Sequence, residues 1–566
     1  MLFTEKLRSE SYEEFHRNFP SHAMNDFNFA FDVLDRKAHL TPNAPCVRHI
    51  DDSFARRDYT YQDMSKASGR AANVLKELGI KKGDKVILML HRRVEWWQIM
   101  LGLHKLGAVA IPSPAQLTPH DIEFRCRQSK ARAIIADYRL IPSIDAIESP
   151  LPELEFRIRV GSEEAEGAAS ALPALSALPE GWLDFEKLQA GVSSVFARPL
   201  STDELACGKD PLLIFFSSGT TGMPKMVLHT HEYPLGHFFT ATYWHNIEPG
   251  DLHMAVADTG WAKAAWGKFY GQLMAGATIL VYDYRGKFRP ANLLRVITEQ
   301  GVNSFCAPPT IYRHLIREDL SGYDFSNLRH CAAAGEPLNG SVIHAWHEAT
   351  GVTIREGFGQ SETSLMIATL PNMECKPGSI GRPVPGWEVA LVNEFGEICE
   401  PGEEGEICIR VDGKRPYGLF VGYLDEAGRL NEPWKNGWYH TGDKAHMDED
   451  GYYWFFGRVD DLIKTSGYRV GPFEVESALV SHPAVLEAAV TGVPDPVRGQ
   501  AIKASIVLSA DYSPTNQLIR EIQEHVKSVT APYKYPRVVE FVQELPKTIS
   551  GKIKRAEIRG DIKKVA

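Results

Sequence analysis

The sequence predicts an α/β protein: a large N-terminal layered α/β domain with a β-rich subdomain, then a small C-terminal α+β domain. Three observations carry this. Up to about residue 350, short apolar runs alternate with helical stretches. After about residue 384 the texture turns to β. A polar joint at 457–467 then opens a segment in which two strand-like runs precede a helix.

In chain order, residues 86–90 read as a buried strand, 94–106 as a helix and 108–112 as a strand. The strand signal returns at 132–137, 212–216, 278–283, 304–307 and 328–334, with helices such as 291–300 between. This alternation predicts largely parallel sheets. Residues 162–200, rich in Ala, Ser, Pro and Glu, read as a surface insertion. The β texture lies at 388–392, 405–411 and 451–456. Beyond about residue 461, strands at 487–493 and 503–508 precede a helix at 516–529. The expected domains are therefore 1–459, with the β-rich part from about 384, and 460–566.

Hydrophobic residues make up 44% and charged residues 24%, which suits a soluble protein with a large core. The net charge of −10 argues against a nucleic-acid scaffold and leaves small anionic ligands open. The cysteines, at 46, 126, 207, 306, 331, 375, 399 and 408, form no CxxC pair and read as buried reduced thiols. The opening residues MLFTEKLRSESYEEF mix acids and bases, unlike a signal or transit peptide. No apolar run is long enough to span a bilayer. The expected location is the cytoplasm.

Five strings bear on chemistry. Residues 215–225 read FFSSGTTGMPK. There an apolar strand runs into Ser217, Ser218, Gly219, Thr220, Thr221, Gly222, Met223, Pro224 and Lys225. Glycines let backbone N–H groups converge, hydroxyls add donors and the lysine adds charge, as a polyphosphate cradle needs. The string is not a Walker A loop, and a polar turn of this kind also occurs with no ligand. Residues 355–363, REGFGQSET, set Glu362 between the hydroxyls of Ser361 and Thr363. A carboxylate beside a triphosphate suits Mg²⁺. In 438–443, WYHTGD, an acid follows a tight turn and could hold a ribose hydroxyl pair. The last two are GRVDDLIKTSGYR at 457–469 and PKTISGKIKR at 546–555. Alone, the latter reads as a solvated basic surface.

Together and in this order, the five strings resemble the adenylate-forming superfamily of acyl-CoA synthetases, luciferases and peptide-synthetase adenylation domains. The resemblance spans about residues 30–560. Within it, DTGWAKAAWG at 258–267 and the 422–450 region look most like the medium-chain acyl-CoA synthetases. The resemblance implies ATP and coenzyme A as substrates with Mg²⁺ as cofactor. It makes 217–225 the phosphate loop. Gly335, Glu336, Pro337 and Glu356 would line the adenine pocket, with Gly357, Phe358, Gly359 and Gln360 completing the nucleotide site. Ser361 and Glu362 match a Thr-Glu pair that meets the α-phosphate and Mg²⁺; here serine replaces the usual threonine and keeps the hydroxyl. Asp443 matches the ribose-binding acid, Arg458 an arginine for ribose or phosphate, and Asp460 the hinge before a mobile small domain. Lys552 matches the lysine that bridges the carboxylate substrate and the α-phosphate.

Carboxylate attack on the α-phosphorus brings two anions together, so Mg²⁺ and Lys552 would neutralise the charge as pyrophosphate leaves. Thiol attack on the acyl-adenylate then needs Lys552 out of the way, which the family achieves by rotating its small domain. Coenzyme A should meet Ser466, Gly467, Tyr468 and Arg469, with Arg498 as a phosphate partner. Tyr533, Lys534, Tyr535 and Arg537 could add stacking and charge. Trp261 and Trp266 read either as acyl-pocket walls or as core tryptophans. His482 reads as a helix-end histidine, with a structural cation as the alternative.

The related acetyl-CoA synthetases carry a tryptophan where this chain has Gly359. That predicts an open acyl pocket; the alternative is that Gly359 only serves the backbone turn and another side chain, such as Trp261, fills the space. At about 0.8 kcal/mol per buried methylene, an open pocket would favour acids of roughly C4–C10 over acetate. The expected activity is therefore an ATP-dependent acid:coenzyme A ligase acting on a medium-chain or branched acid. Two other readings compete: an adenylating enzyme that loads a carrier protein, and a non-catalytic nucleotide-binding protein. The absence of a carrier-like segment after residue 566 weighs against the first. The presence of Glu362, Asp443, Arg458 and Lys552 weighs against the second.

Overall fold

The computed structural model describes residues 12–14, 26–162, 178–217, 223–336, 338–413, 415–466, 468–547 and 553–560. The apolar runs become strands with little change of bounds. Residues Val94–Leu106, Thr278–Asp283, Ser304–Ala307 and Asn516–Val529 form the expected elements without shift.

Among the described residues the strands form four sheets. One nine-stranded sheet contains, as parallel neighbours, Thr278–Asp283, Leu252–Ala255, Ser304–Ala307, His330–Ala334 and Ile354–Phe358. The second nine-stranded sheet places Lys85–Met89 between Val109–Pro112 and Ala133–Asp137, all parallel, and continues to the antiparallel pair Pro211–Ser217 and Lys225–Thr230. Side-chain alternation along these strands sets the layers. Val86 and Leu88 point into the largest apolar cluster, and Ile87 and Met89 into another. Likewise Ile279 and Val281 face the large cluster, while Leu280 and Tyr282 face a third. The large cluster also holds side chains from the helices Tyr61–Glu77, Val94–Leu106, Ala262–Lys268 and Tyr270–Ala275. Helices thus lie between two sheets, and each outer sheet face carries further helices. The near-continuous Val/Ile/Leu/Ala runs follow from burial on both faces.

The third sheet is antiparallel: Val389–Val392, Glu404–Arg410, Trp438–Met447 and Trp434–Lys435, with Tyr453–Arg458 on Trp438–Met447. The fourth, toward the C-terminus, pairs Val485–Asp495 with Gly499–Leu508 and adds Ile463–Thr465, Tyr468–Val470 and Val538–Phe541. Helices Pro472–Val480 and Asn516–Val529 contribute to its own core through Val475, Leu479, Leu518, Ile522 and Val526.

Two expectations are corrected. Within 162–200, Trp182–Asp184 adds an edge strand and Phe185–Ala190 a helix, because Trp182 and Phe185 are buried apolar anchors. The joint begins later than residue 457, because the Tyr453–Arg458 strand runs on until Arg458 pairs with Asp443. All eight cysteines are free thiols, with Cys207 and Cys375 half-buried and the others buried. Among the described residues no helix is long and apolar enough to cross a membrane.

One close approach sets the spacing of the central helices. Helix Tyr270–Ala275 packs on Tyr233–Phe239 so tightly that a Cβ on Gly271 would lie 2.0 Å from the His237 carbonyl oxygen. Alanine ordinarily stabilises a helix by about 1 kcal/mol over glycine. Here Gly271→Ala should instead cost ~1–3 kcal/mol through overpacking. Thermal and urea unfolding should show a lower midpoint; a midpoint equal to or above that of the parent would contradict this packing.

Candidate active site

The expected nucleotide residues gather where parallel strands end. His330–Ala334 and Ile354–Phe358 are neighbours, with Ala334 beside Gly357, so residues 335–336 and 359–363 leave the same sheet edge together. The carboxyl ends of parallel strands are where open α/β sheets place ligands.

Gln360 joins this edge to the third sheet. Its Nε2 donates to the Thr441 carbonyl (2.8 Å) and to Asp443 Oδ2 (2.5 Å), and its Oε1 accepts from Tyr439 Oη (3.1 Å). Burial holds the Tyr439 phenol protonated, so it donates. Asp443 is 5% exposed, and Arg458 Nη1 lies 3.6 Å from its Oδ1. The turn before Asp443 is fixed from behind. Glu406 accepts the Gly442 N–H (2.8 Å) through Oε1 and bonds His440 Nδ1 (2.8 Å) through Oε2. Cys408 completes that cluster, its Sγ 3.4 Å from the same nitrogen.

Glu362 is 8% exposed and accepts from Tyr423 Oη (3.0 Å), whose phenol burial keeps protonated. Lys225 Nζ sits 5.0 Å from the centre of the Tyr423 ring. Tyr423 therefore brings the end of the 217–225 string to the 355–363 string. His229 makes a second link, its Nε2 2.7 Å from the Ser361 carbonyl. Burial lowers its pKa to about 3, so the ring is neutral at neutral pH and Nε2 carries the hydrogen. One buried carboxylate beside a hydroxyl and near a lysine fits Mg²⁺, which takes one or two carboxylates and otherwise phosphate and water oxygens. Ser217 ends a buried strand, and Met223 and Pro224 precede the next. Ser218, Gly219, Thr220, Thr221 and Gly222 lie outside the described residues.

Of the adenine-pocket expectations, Gly335 takes φ 105°, a conformation that glycine tolerates. The Glu336 carboxylate is bound by Arg313 Nη2 (2.9 Å) and Thr310 Oγ1 (3.0 Å). Pro337 lies outside the described residues. Phe358 is half-buried against Phe455 (6.0 Å between ring centres). Glu356 is 4% exposed; its Oε1 accepts the Leu338 N–H (2.9 Å) and its Oε2 has no partner.

The open pocket expected at Gly359 is not there. A Cβ at 359 would meet Trp266 Cη2 at 2.2 Å and the Ser364 carbonyl at 2.5 Å. The volume that a tryptophan at 359 would fill is taken by the Trp266 indole, which arrives from the helix Ala262–Lys268. Trp261 is half-buried at the start of that helix, and Trp266 is the residue against Gly359.

Toward the C-terminus, Tyr468 and Tyr533 stack (4.1 Å, 14° between planes) and are exposed. Ser466 takes φ 51°, and its N–H donates to the Arg498 carbonyl (3.0 Å). The Arg498 guanidinium lies 3.4 Å from Asp495, and Lys534 is paired with Glu474. Arg537 donates to Tyr535 Oη (2.6 Å). The structure thus gathers Ser466, Tyr468, Arg498 and Tyr533, with Arg498 and Lys534 already paired to acids. Arg469 lies opposite Lys464 in a two-strand pairing; Gly467 lies outside the described residues. Asp460 is exposed in a short 3-10 turn, while its neighbour Asp461 is buried and pairs with Arg559 (2.9 Å) and Arg555 (3.7 Å). Lys552 lies outside the described residues. His482 follows a helix end and packs edge-on against His525 (5.2 Å).

Sequence reading missed Tyr423, Tyr439, His229 and Glu406. Each is joined to the site by a partner 36 to 132 positions away in the chain. No local spacing announces such a contact.

Burial pushes the Glu356 pKa up from 4.5 to about 8. The folded state therefore holds a proton that the unfolded chain has lost. The associated stability is present below about pH 4.5 and is lost as pH rises through about 8. Glu356→Gln mimics the protonated acid and removes that loss. Melting curves from pH 5 to 8.5 should show the variant gaining on the parent as pH rises; parallel pH profiles would contradict a neutral Glu356.

A family model described as AMP-binding enzyme matches residues 34–424, and one described as AMP-binding enzyme C-terminal domain matches residues 474–552. Human acyl-coenzyme A synthetase ACSM3, mitochondrial, is 40% identical over 562 residues, covering 97% of this chain and 92% of its own. Human acyl-coenzyme A synthetase ACSM5, mitochondrial, is 41% identical over 546 residues, covering 94% and 90%. Among solved structures, the anthranilate CoA ligase AuaEII in complex with anthranoyl-AMP superposes with a TM-score of 0.84 at 32% identity, covering 95% of this chain and 98% of its own. Brucella canis acyl-CoA synthetase gives 0.73 at 30% identity, covering 97% and 98%. With one model matching most of its length and relatives near 40% identical along nearly all of it, this chain belongs to the AMP-binding enzyme family.

Proposed function

We propose that this protein is an ATP-dependent acid:coenzyme A ligase. In the first step a carboxylate oxygen attacks the α-phosphorus of ATP, pyrophosphate leaves and an acyl-adenylate forms. In the second the coenzyme A thiolate attacks the acyl carbon, the C–O bond breaks and AMP leaves. The observation that carries this reading is the convergence of three distant strings, with Gln360 holding Asp443 and Tyr423 standing between Glu362 and Lys225. Relatives named as acyl-CoA synthetases support it, as does a related ligase structure holding an acyl-adenylate.

The roles follow from chemistry. Asp443, with Arg458 beside it, would hold the ribose hydroxyls. Lys225 would meet the departing phosphates, and the Ser361 hydroxyl the α-phosphate. Glu362 would hold Mg²⁺, which supplies charge neutralisation at the phosphates when bound. Glu356, Gly357 and Phe358 would back the adenine. Lys552 would bridge the two anions during adenylation and then withdraw. That withdrawal calls for movement of 460–566 about Asp460. The contacts to be broken include Asn339 Nδ2 to the Ser477 carbonyl (3.0 Å) and Phe455 on Phe473 (6.3 Å). Tyr468, Tyr533 and Arg498 would then receive the nucleotide end of coenzyme A. Trp266 would floor the acyl site, whose substrates are medium-chain acids. The location proposed is the cytoplasm, whereas the human relatives are named as mitochondrial.

The test is acid-dependent exchange of labelled pyrophosphate into ATP. Lys552→Ala should lower it by about 10²–10³, the cost of removing one electrostatic stabiliser. The same variant, given presynthesised acyl-adenylate and coenzyme A, should still make thioester. Exchange near the parent level would remove Lys552 from adenylation, and a parent enzyme without exchange on any carboxylic acid would overturn the ligase reading.

A further inference from the structure

The third sheet turns one face to the core and the other away from it. Ile407, Ile409 and Tyr439 point into the large apolar cluster. Side chains alternate along a strand, so Glu406, Cys408 and His440 point the opposite way. Cys408 stands directly across from His440 where Glu404–Arg410 pairs with Trp438–Met447, and Glu406 lies two residues before it on the same face. One thiol, one imidazole and one carboxylate thus meet, with a donor atom of each within 4.8 Å of the other two.

Protons alone do not match these three groups. Glu406 Oε2 lies 2.8 Å and Cys408 Sγ 3.4 Å from the same atom, His440 Nδ1. That nitrogen carries either a proton or a lone pair. With a proton it donates to Glu406, and the thiol hydrogen finds no acceptor on it. With a lone pair it accepts from the thiol and faces a carboxylate oxygen with no hydrogen of its own to offer. A cation in place of the proton would be bonded by all three.

The donor types and distances identify the ion. A tetrahedral site with Zn–S of about 2.3 Å and Zn–N of about 2.0 Å has an S–N edge of about 3.5 Å. The edge here is 3.4 Å. The N–O edge must open from 2.8 Å to about 3.3 Å. The Glu406 and His440 side chains are 22% and 31% exposed, which gives them that freedom, gives the ion a way in and leaves water the fourth position. Thiolate and imidazole favour Zn²⁺ over Mg²⁺, which takes oxygen ligands. We propose that Glu406, Cys408 and His440 bind one Zn²⁺ ion, separate from the Mg²⁺ position at Glu362.

Burial and the Glu406 charge raise the Cys408 pKa, so the thiol is protonated in the metal-free protein. Loading replaces the S–H bond with S–Zn and gives that proton to solvent, while the imidazole hydrogen moves to Nε2. Glu406 Oε1 stays on the Gly442 N–H (2.8 Å), so the ion fastens the turn before Asp443.

The experiment strips the full-length protein with a chelator, dialyses it and titrates Zn²⁺ against a chromophoric competitor, with Co²⁺ as the spectroscopic stand-in. One Zn²⁺ should bind per chain and resist excess Mg²⁺. The Co²⁺ form should show a thiolate charge-transfer band in the near ultraviolet and the strong visible bands of a four-coordinate ion. Cys408→Ala should abolish the charge-transfer band and weaken Zn²⁺ by more than the about 10–100-fold that loss of a supporting group costs. His440→Gln should weaken Zn²⁺ comparably and carries the test if the cysteine variant fails to fold. Zn²⁺ should raise the melting midpoint of the parent and of neither variant. No uptake, equal affinity in parent and variants, or a Co²⁺ spectrum without the thiolate band would overturn the inference and leave the cluster as hydrogen bonds that hold the turn.

Discussion

The Gln360 side-chain amide is the joint on which the site depends. Its two ends bind Thr441, Asp443 and Tyr439, so a loop at a parallel sheet edge and a turn of an antiparallel sheet become one surface. A hydrogen bond to a charged group contributes about 1.5–3 kcal/mol, and leaving its buried partner unmatched costs as much or more. The buried Asp443 carboxylate therefore fixes the relative position of two sheets as well as offering acceptor oxygens to a ligand. Glu406 supports the same turn from behind, which leaves little freedom at residues 441–443.

Layering supplies the rigidity behind that joint. Helices held between two sheets bury both of their faces, and close approaches such as Gly271 on the His237 carbonyl leave no slack. Loops at the carboxyl edges of the strands inherit that rigidity. In the proposed reaction, charge neutralisation would fall to a few side chains: Lys225, Arg458 and Lys552. The C-terminal sheet and its helices carry a core of their own, and the helix Arg555–Arg559 is tied down by the ion pairs of Arg555 and Arg559 with Asp461 and Glu476. A small domain packed within itself can move as a body.

Much of this was legible in the sequence because the signals were local. Apolar runs of four to six residues gave the central strands, and the glycine- and hydroxyl-rich strings marked the loops at their ends. What escaped was long-range. The side chain weighed as a filler of the space at Gly359 was Trp261, yet it is Trp266, ninety-three positions before the glycine, that occupies it. The edge strand Trp182–Asp184 was hidden in an Ala- and Pro-rich stretch because two aromatic anchors sufficed to dock it. Glu406, Cys408 and His440 converge although no spacing hints at it, because cross-strand pairing sets their proximity. Asp461 is the carboxylate that the fold uses structurally, and its neighbour Asp460 is the exposed one.

At the centre of the account is the claim that the acid is activated by direct attack on the α-phosphorus, at the surface that Gln360 assembles. A carboxylate oxygen then stays on phosphorus when the thiol later takes the acyl group. The measurement is mass spectrometry of the nucleotide products after turnover with an acid labelled with oxygen-18 in its carboxylate. The account predicts AMP that carries one labelled oxygen per thioester formed, and pyrophosphate that carries none. Label in inorganic phosphate with ADP as the nucleotide product, or unlabelled AMP, would contradict it.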